Sequence, residues 1–188
     1  SILLLAVNLF LLLGCRPEEL SFVIEGTVND ATNNVPLPGA EISIYTFPLG
    51  GTIGNKVTTI VSDAQGRFGY DLVREKYEKI EIRIEKDLYF NKIDEIPFSN
   101  LTTDGINNYT YNLNAKAWTR FVIVNQQPLA SDELKILKDS GKEDCDECCS
   151  NGFYYYYGAA DTVVYCPNDG NRYMKFFYWI NGNQSNGV

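Results

Sequence analysis

From Phe22 onward the chain alternates apolar and polar side chains with a period of two, the mark of half-buried β-strands. Phe22 to Asn29 sets Phe22, Ile24, Gly26 and Val28 against Glu25 and Thr27. Glu41 to Phe47 repeats the pattern with Ile42 and Ile44 inward, Lys56 to Ser62 is rich in Val, Thr and Ile, and Arg67 to Leu72 aligns Phe68, Tyr70 and Leu72. The clearest case is Lys79 to Lys86, where Ile80, Ile82 and Ile84 face a core and Glu81, Arg83 and Glu85 face water; a helical projection scatters these isoleucines. Residues 87 to 108 read as mostly irregular, with a seventh strand near Tyr89 to Ile93, before Tyr109 to Leu113 restores the alternation. Turn formers separate the segments: Pro36-Leu37-Pro38-Gly39 closes the loop Asp30 to Gly39, and Asp63-Ala64-Gln65-Gly66 reads as a hairpin turn.

The second half is also strand-like but differently patterned. Trp118 to Asn125 is apolar on both faces, and Glu133 to Lys138 alternates less cleanly; a short helix capped by Ser131 or Asp132 is the weaker reading because the segment is brief. Phe153 to Tyr157, Thr162 to Tyr165 and Arg172 to Asn181 supply three more strands, with Asn168-Asp169-Gly170-Asn171 read as a hairpin turn between the last two. The closing Asn-Gly-Asn-Gln-Ser-Asn-Gly-Val reads as an interrupted turn, so a further strand or domain is expected beyond it. The fold class expected is all-β, an antiparallel Greek-key sandwich over residues 22–115 followed by a second small, Tyr-rich, Cys-containing β-domain over residues 116–188.

Aromatics occupy both faces of Phe153 to Tyr157 and of Tyr173 to Ile180, whereas a sandwich strand needs one apolar face. Three fates are open for the outward set: cover by residues 87–108 or by the first domain, a protein interface, or a stacking platform for sugar rings. Tyr155, Tyr157, Tyr178 and Trp179 are the candidate binding surface.

Composition removes several function classes. A net charge of −8 and a pI near 4.6 oppose nucleic-acid binding, which needs a Lys/Arg-rich face. The chain has no His, which excludes Ser-His, Cys-His and His-metal mechanisms. Of the remaining carboxylates, Asp94-Glu95 and Asp132-Glu133 are sequence neighbours that a strand directs to opposite faces, so neither forms an acid-base pair. Asn168-Asp169-Gly170-Asn171 is too short for a calcium loop. No catalytic residue, metal or cofactor is expected; a hydrolase using carboxylates is the weakest class considered.

The address comes from the start. Ile2 to Leu13 is an apolar run broken only by Asn8, too short to span a bilayer comfortably, and it ends in Leu12-Leu13-Gly14-Cys15. This resembles the lipobox of bacterial lipoproteins, which implies that residues 1–14 are a signal peptide, that cleavage falls before Cys15, and that Cys15 is acylated. No initiator Met or basic stretch precedes the run, so the start is expected to be clipped. Cys15-Arg16-Pro17-Glu18-Glu19-Leu20, in the linker 15–21, resembles the acidic surface-export signals of Bacteroidetes lipoproteins; the plainer alternative is a solvated linker.

Ile24-x-Gly26-x-Val28, Pro36-Leu37-Pro38-Gly39-Ala40-x-Ile42-x-Ile44, Thr58-Thr59 and Ser62-Asp63-Ala64-Gln65-Gly66-Arg67-Phe68 resemble the carboxypeptidase regulatory-like domain, closely over residues 22–72 and loosely to about 115. The resemblance implies a seven-stranded, transthyretin-like accessory sandwich without catalytic residues, with Gly39 and Gly66 as turn residues. Asp161-Thr162-Val163 resembles the short O-glycosylation acceptor of the same bacterial phylum.

With Cys15 acylated, Cys145, Cys148, Cys149 and Cys166 remain, an even number that favours two disulfides in an oxidising envelope. A bridge from the 145–149 cluster to Cys166 stabilises by roughly 3 kcal/mol on the chain-entropy model. Three pairings are open, the one containing Cys148–Cys149 being the most strained. A four-sulfur zinc site and a redox pair are the alternatives, the second weakened by Glu143, Asp144, Asp146 and Glu147. The expected protein is a non-catalytic lipoprotein, lipid-anchored in the outer membrane and exposed at the cell surface, acting as a structural or protein-interaction module. Its rival is a glycan-binding accessory lipoprotein of a polysaccharide-uptake system. The partners expected are the membrane, through the anchor, and an envelope protein, with a glycan under the rival reading.

Overall fold

Fourteen strands and one 3-10 turn, Phe98–Asn100, form the regular structure of the described residues, 20–143 and 145–187, in a computed structural model. The apolar leader and Cys15 lie outside the described residues. In the first sheet β1 (Ser21–Asp30) is central. It pairs antiparallel with β5 (Arg67–Val73) and, where β5 ends, with the short β2 (Val35–Pro36); its other edge pairs parallel with β8 (Ile106–Leu113). The second sheet runs β4 (Asn55–Val61), β3 (Glu41–Pro48), β6 (Tyr77–Glu85), β7 (Lys92–Pro97), antiparallel throughout. The period-two positions meet between the sheets: Ile24 and Val28 pack with Ile42, Ile44, Ile80, Ile82 and Ile84, all fully buried. Burying such side chains contributes about 1.5–3 kcal/mol each, and the buried core cluster lies in this half of the molecule.

Several expectations change in detail. Residues 87–108 contain β7, one segment later than the strand expected near Tyr89, which makes only a single bridge to Ala115. Glu81 lies on the outer face but is buried, because Arg83 pairs with it and stacks over the Tyr45 ring at 4.2 Å. The Asp63–Gly66 turn is not a hairpin, since β4 and β5 belong to different sheets and the turn carries the chain across the sandwich. Its local chemistry is as read: Asp63 Oδ1 accepts the N–H groups of Gln65 and Arg67 at 2.8 Å, and Gly66 has φ +72°. A Cβ at Gly66 would strike the Val28 carbonyl oxygen, so the position needs glycine for space as well as for conformation. Gly26 is small for another reason, since the Phe68 ring lies across it, 2.6 Å from where a Cβ would sit.

The remaining strands form two further sheets. β9 (Lys116–Val124) and β12 (Asp161–Asp169) make a two-stranded antiparallel ribbon. The other sheet runs β11 (Phe153–Tyr157), β10 (Glu133–Ser140), β13 (Lys175–Ile180), β14 (Asn183–Gly187). The 168–171 turn therefore also crosses between sheets instead of closing a hairpin. The terminal segment read as an interrupted turn is β14, joined to β13 through Asn181 and Gly182 at φ 47° and 83°, the positive pair that a two-residue hairpin requires.

Asp30 organises the passage from the first sandwich to the second unit. Its carboxylate is buried, which opposes the charge. Hydrogen bonds from the Asn33 amide and N–H, the Tyr89 hydroxyl and the Thr32 N–H outweigh that cost and hold its pKa below the ordinary 3.8. The loop so fixed places Thr32 Oγ1 to accept the Ala115 N–H at 2.9 Å, while the Ala115 carbonyl accepts the Gly170 N–H at 2.7 Å. A depressed carboxyl pKa gives stability that is present above the unfolded value and lost as pH falls through the lower folded value. Asp30→Asn is expected to cost about 1–2 kcal/mol at pH 7 and to flatten the fall in melting temperature below the ordinary 3.8, as read by thermal melts across pH 2–7.

Candidate functional site

Alternation along β10, β11 and β13 divides the aromatic side chains of the second unit into two layers. Ile136, Tyr154, Tyr156 and Phe176 face the ribbon, where Phe121 meets Phe176 edge-on at 4.9 Å between ring centroids. At the far end of this interior the sheets diverge around an open cleft of about 520 Å³, lined by Leu134, Tyr156, Tyr178 and Ile180 with Asn125 and Asn181 at the rim. Asp132 accepts the Leu129 N–H, the Asn125 amide and the Asn181 amide, which lower its pKa and spend its lone pairs on holding loops.

The opposite layer is open. Phe153, Tyr155 and Tyr157 project outward, Tyr155 48% and Tyr157 63% exposed. The Tyr155 and Tyr157 rings stack at 6.2 Å, and Phe153 meets half-buried Trp179 at 5.9 Å. Lys135 stands between strands, its Nζ 4.5 Å from the centroids of both Phe153 and Trp179. Strand register places Tyr155, Lys135, Trp179 and Gln184 in one row across the sheet. Tyr155, Tyr157 and Trp179 thus share one surface, as the candidate set requires, but Tyr178 points to the other side and lines the cleft. Neighbours in a strand cannot share a face. Of the three fates, cover by residues 87–108 or by the first sandwich is not seen among the described residues: residues 92–97 are committed to β7, and Phe153, Tyr155 and Tyr157 remain exposed.

A second apolar surface lies on the ribbon. Val122 and Val163 pair across it, and Trp118, Val124 and Tyr165 extend the patch, Val122 being 57% exposed. Its signal in the sequence is the two-faced apolar run Trp118 to Asn125, a pattern that marks a strand without marking which face stays open. Thr162 of the Asp161-Thr162-Val163 motif sits in β12 opposite Ile123 and is half-buried.

The cysteines pair as Cys145–Cys148 and Cys149–Cys166. The second bridge ties the loop before β11 to β12 and so joins the two sheets. All four sulfurs are taken up in bridges, which leaves no thiolate for the zinc alternative. Among the described residues no group of three or more Asp, Glu, Cys or His is arranged to hold a metal ion. The neighbours Asp94 and Glu95 serve separate structural bonds, Asp94 accepting the Tyr111 hydroxyl at 3.0 Å and Glu95 pairing with Lys79 at 2.6 Å.

Strand pairing defines the class: an all-β protein with a two-sheet sandwich followed by a second β-rich unit. No family model matches the chain, and no curated protein matches it. Among solved structures it is similar to 3-chlorocatechol 1,2-dioxygenase from Rhodococcus opacus 1CP, at 15% identity over 53% of this chain and 62% of that one, TM-score 0.39. It is similar to the Bacillus anthracis TIE protein at 19% identity over 89% and 31%, TM-score 0.41. The shaft pilin spaA of Lactobacillus rhamnosus GG aligns at 11% identity over 89% and 88%, TM-score 0.39. The chain thus spans less than two thirds of the dioxygenase and of the TIE protein.

Replacing Cys149 and Cys166 together by Ser is expected to lower unfolding stability by about 3 kcal/mol, and replacing Cys145 and Cys148 by about half that, because the shorter loop restricts the unfolded chain less. Urea denaturation of the two double variants checks the order.

Proposed function

We propose that this chain is a non-catalytic, lipid-anchored envelope protein in which the first sandwich holds the second unit close to the membrane and the second unit makes the functional contact. One observation carries the reading: apolar side chains stand uncovered on both outer faces of the second unit. The first sandwich exposes charged and polar residues such as Glu25, Lys56, Arg67 and Asp71 with scattered aliphatics such as Val61 and Ile93, whereas the exposed large aromatics among the described residues all lie in the second unit. Exposed contiguous apolar surface marks a contact site, and Tyr and Trp are favoured there because they bury large areas at low entropy cost. The lipobox resemblance supports the address. From Cys15 to the start of β1 at Ser21 the chain can reach about 20 Å at most, which keeps the first sandwich near the bilayer.

A glycan-binding role is the second reading, favoured by the row in which Tyr155 and Trp179 present ring surface on either side of a lysine ammonium. Fractionation and in-envelope cross-linking separate the readings. Cys15→Ala is expected to leave the membrane fraction. Tyr155→Ser/Tyr157→Ser is expected to stay there, to melt within about 0.5 kcal/mol of the unaltered protein per exposed site, and to lose its cross-linked envelope complex. Retention on immobilised polysaccharide that this variant loses, with the complex intact, decides for the glycan.

A further inference from the structure

The β11 edge carries an inference about what meets the aromatic face. β11 pairs with β10 on one side and, among the described residues, with no strand on the other, so half of its backbone groups have no ladder partner. Free edges are normally guarded by charge or proline. β4 carries Lys56, β7 carries Lys92, Asp94, Glu95 and Pro97, β9 carries Lys116 and Arg120, and β12 carries Pro167. β8 and β14 are uncharged but rich in Asn. β11 alone is aromatic at every position.

The surrounding sequence is nearly symmetrical about Tyr155: Ser-Asn-Gly, then Phe153 to Tyr157, then Gly-Ala-Ala. Laid antiparallel against itself, the segment pairs Tyr155 with Tyr155, Phe153 with Tyr157 and Tyr154 with Tyr156. The pairing ends at Gly152 and Gly158, where the chain turns away, Gly158 at φ 58°, so no long side chain flanks the junction at either end. Aromatic cross-strand pairs are among the favourable ones in sheets.

Charge does not oppose the pairing locally, although each chain carries −8. The nearest outward charges, Glu133 and Lys135, stand one strand in from the edge. Across the junction like charges are three strand spacings apart, about 14 Å, beyond the screening length of about 8 Å at physiological salt.

We propose that the protein forms a two-fold dimer by antiparallel pairing of β11 with the β11 of a second copy, joining two four-stranded sheets into one of eight strands. The dimer is isologous and closes at two copies, and the outer aromatic rows of both run on into one surface. This deepens the interaction reading above and rests on it for the claim that this face makes contacts.

Sedimentation equilibrium of the full chain in density-matched detergent tests the proposal. The unaltered protein is expected to show twice the monomer mass at concentrations up to about 100 μM. Tyr155→Lys, which sets two ammonium groups opposite each other at an exposed site, is expected to weaken the dimer about tenfold or more. Mixing Tyr155→Lys with Tyr155→Glu is expected to restore it, which also covers the case in which either variant alone is poorly folded. A monomer throughout the range overturns the proposal, as does a dimer unaffected by Tyr155→Lys or a mixture that fails to recover. None of these results touches the envelope complex scored by cross-linking, so the interaction reading stands or falls separately.

Discussion

A β-strand offers alternate side chains to opposite faces, and that rule forces the second unit to expose aromatic surface. Phe153 to Tyr157 and Lys175 to Ile180 carry aromatic residues at consecutive positions. Whichever set enters the core, the other must stand outside. A second geometric limit compounds the first. The ribbon of β9 and β12 is two strands, about 10 Å, wide, while the sheet it covers is four strands, about 19 Å, wide. The interior is correspondingly small, and its uncovered end is the 520 Å³ cleft beside Tyr156 and Tyr178.

The first sandwich obeys the same rule with the opposite result. Its strands carry most of their aromatic and aliphatic side chains on one face, so the isoleucines of β3 and β6 close a core, while the outer positions hold charged and polar residues, such as Glu81 paired with Arg83, and scattered single aliphatics such as Val61 and Ile93. The proposed contact surface therefore lies in the half that leaves its aromatic surface exposed. The two halves meet at a polar joint, where the Asp30 carboxylate fixes the turn that holds Ala115 and, through Ala115, the crossing at Gly170. Apolar faces stay free because the joint does not use them.

What the residue pattern could reveal follows from what it physically encodes. Strand existence was legible wherever one face alone was apolar, as in Lys79 to Lys86, and Phe153 to Tyr157 coincides with β11. Turn chemistry was legible at Gly66, whose positive φ the motif anticipates, but the destination of the next strand was not. A turn specifies local backbone angles, whereas the choice of sheet depends on distant faces, which is why both the 63–66 and 168–171 turns cross between layers. The terminal strand was missed although Asn181-Gly182 is a hairpin signal, because the polar residues after it lack alternation. Trp179 shares its parity with the polar flanks Lys175 and Asn181, which marks it as outward, and the same alternation turns Tyr178 inward, so grouping the two on one surface conflicts with the strand period itself. Disulfide pairing depends on spatial neighbours in the same way, and three connectivities remained open until β12 was placed beside the 145–152 loop.

The central claim is that the outer face of β11, β10 and β13 is covered by a partner in its native setting. Hydroxyl-radical footprinting compares that setting with the isolated chain most directly. Oxidation of Phe153, Tyr155, Tyr157 and Trp179 is expected to fall severalfold in intact envelopes relative to dilute purified protein, while exposed Leu49 and Ile53 of the first sandwich react equally in both. Equal reactivity of the four aromatics in both states would contradict the account.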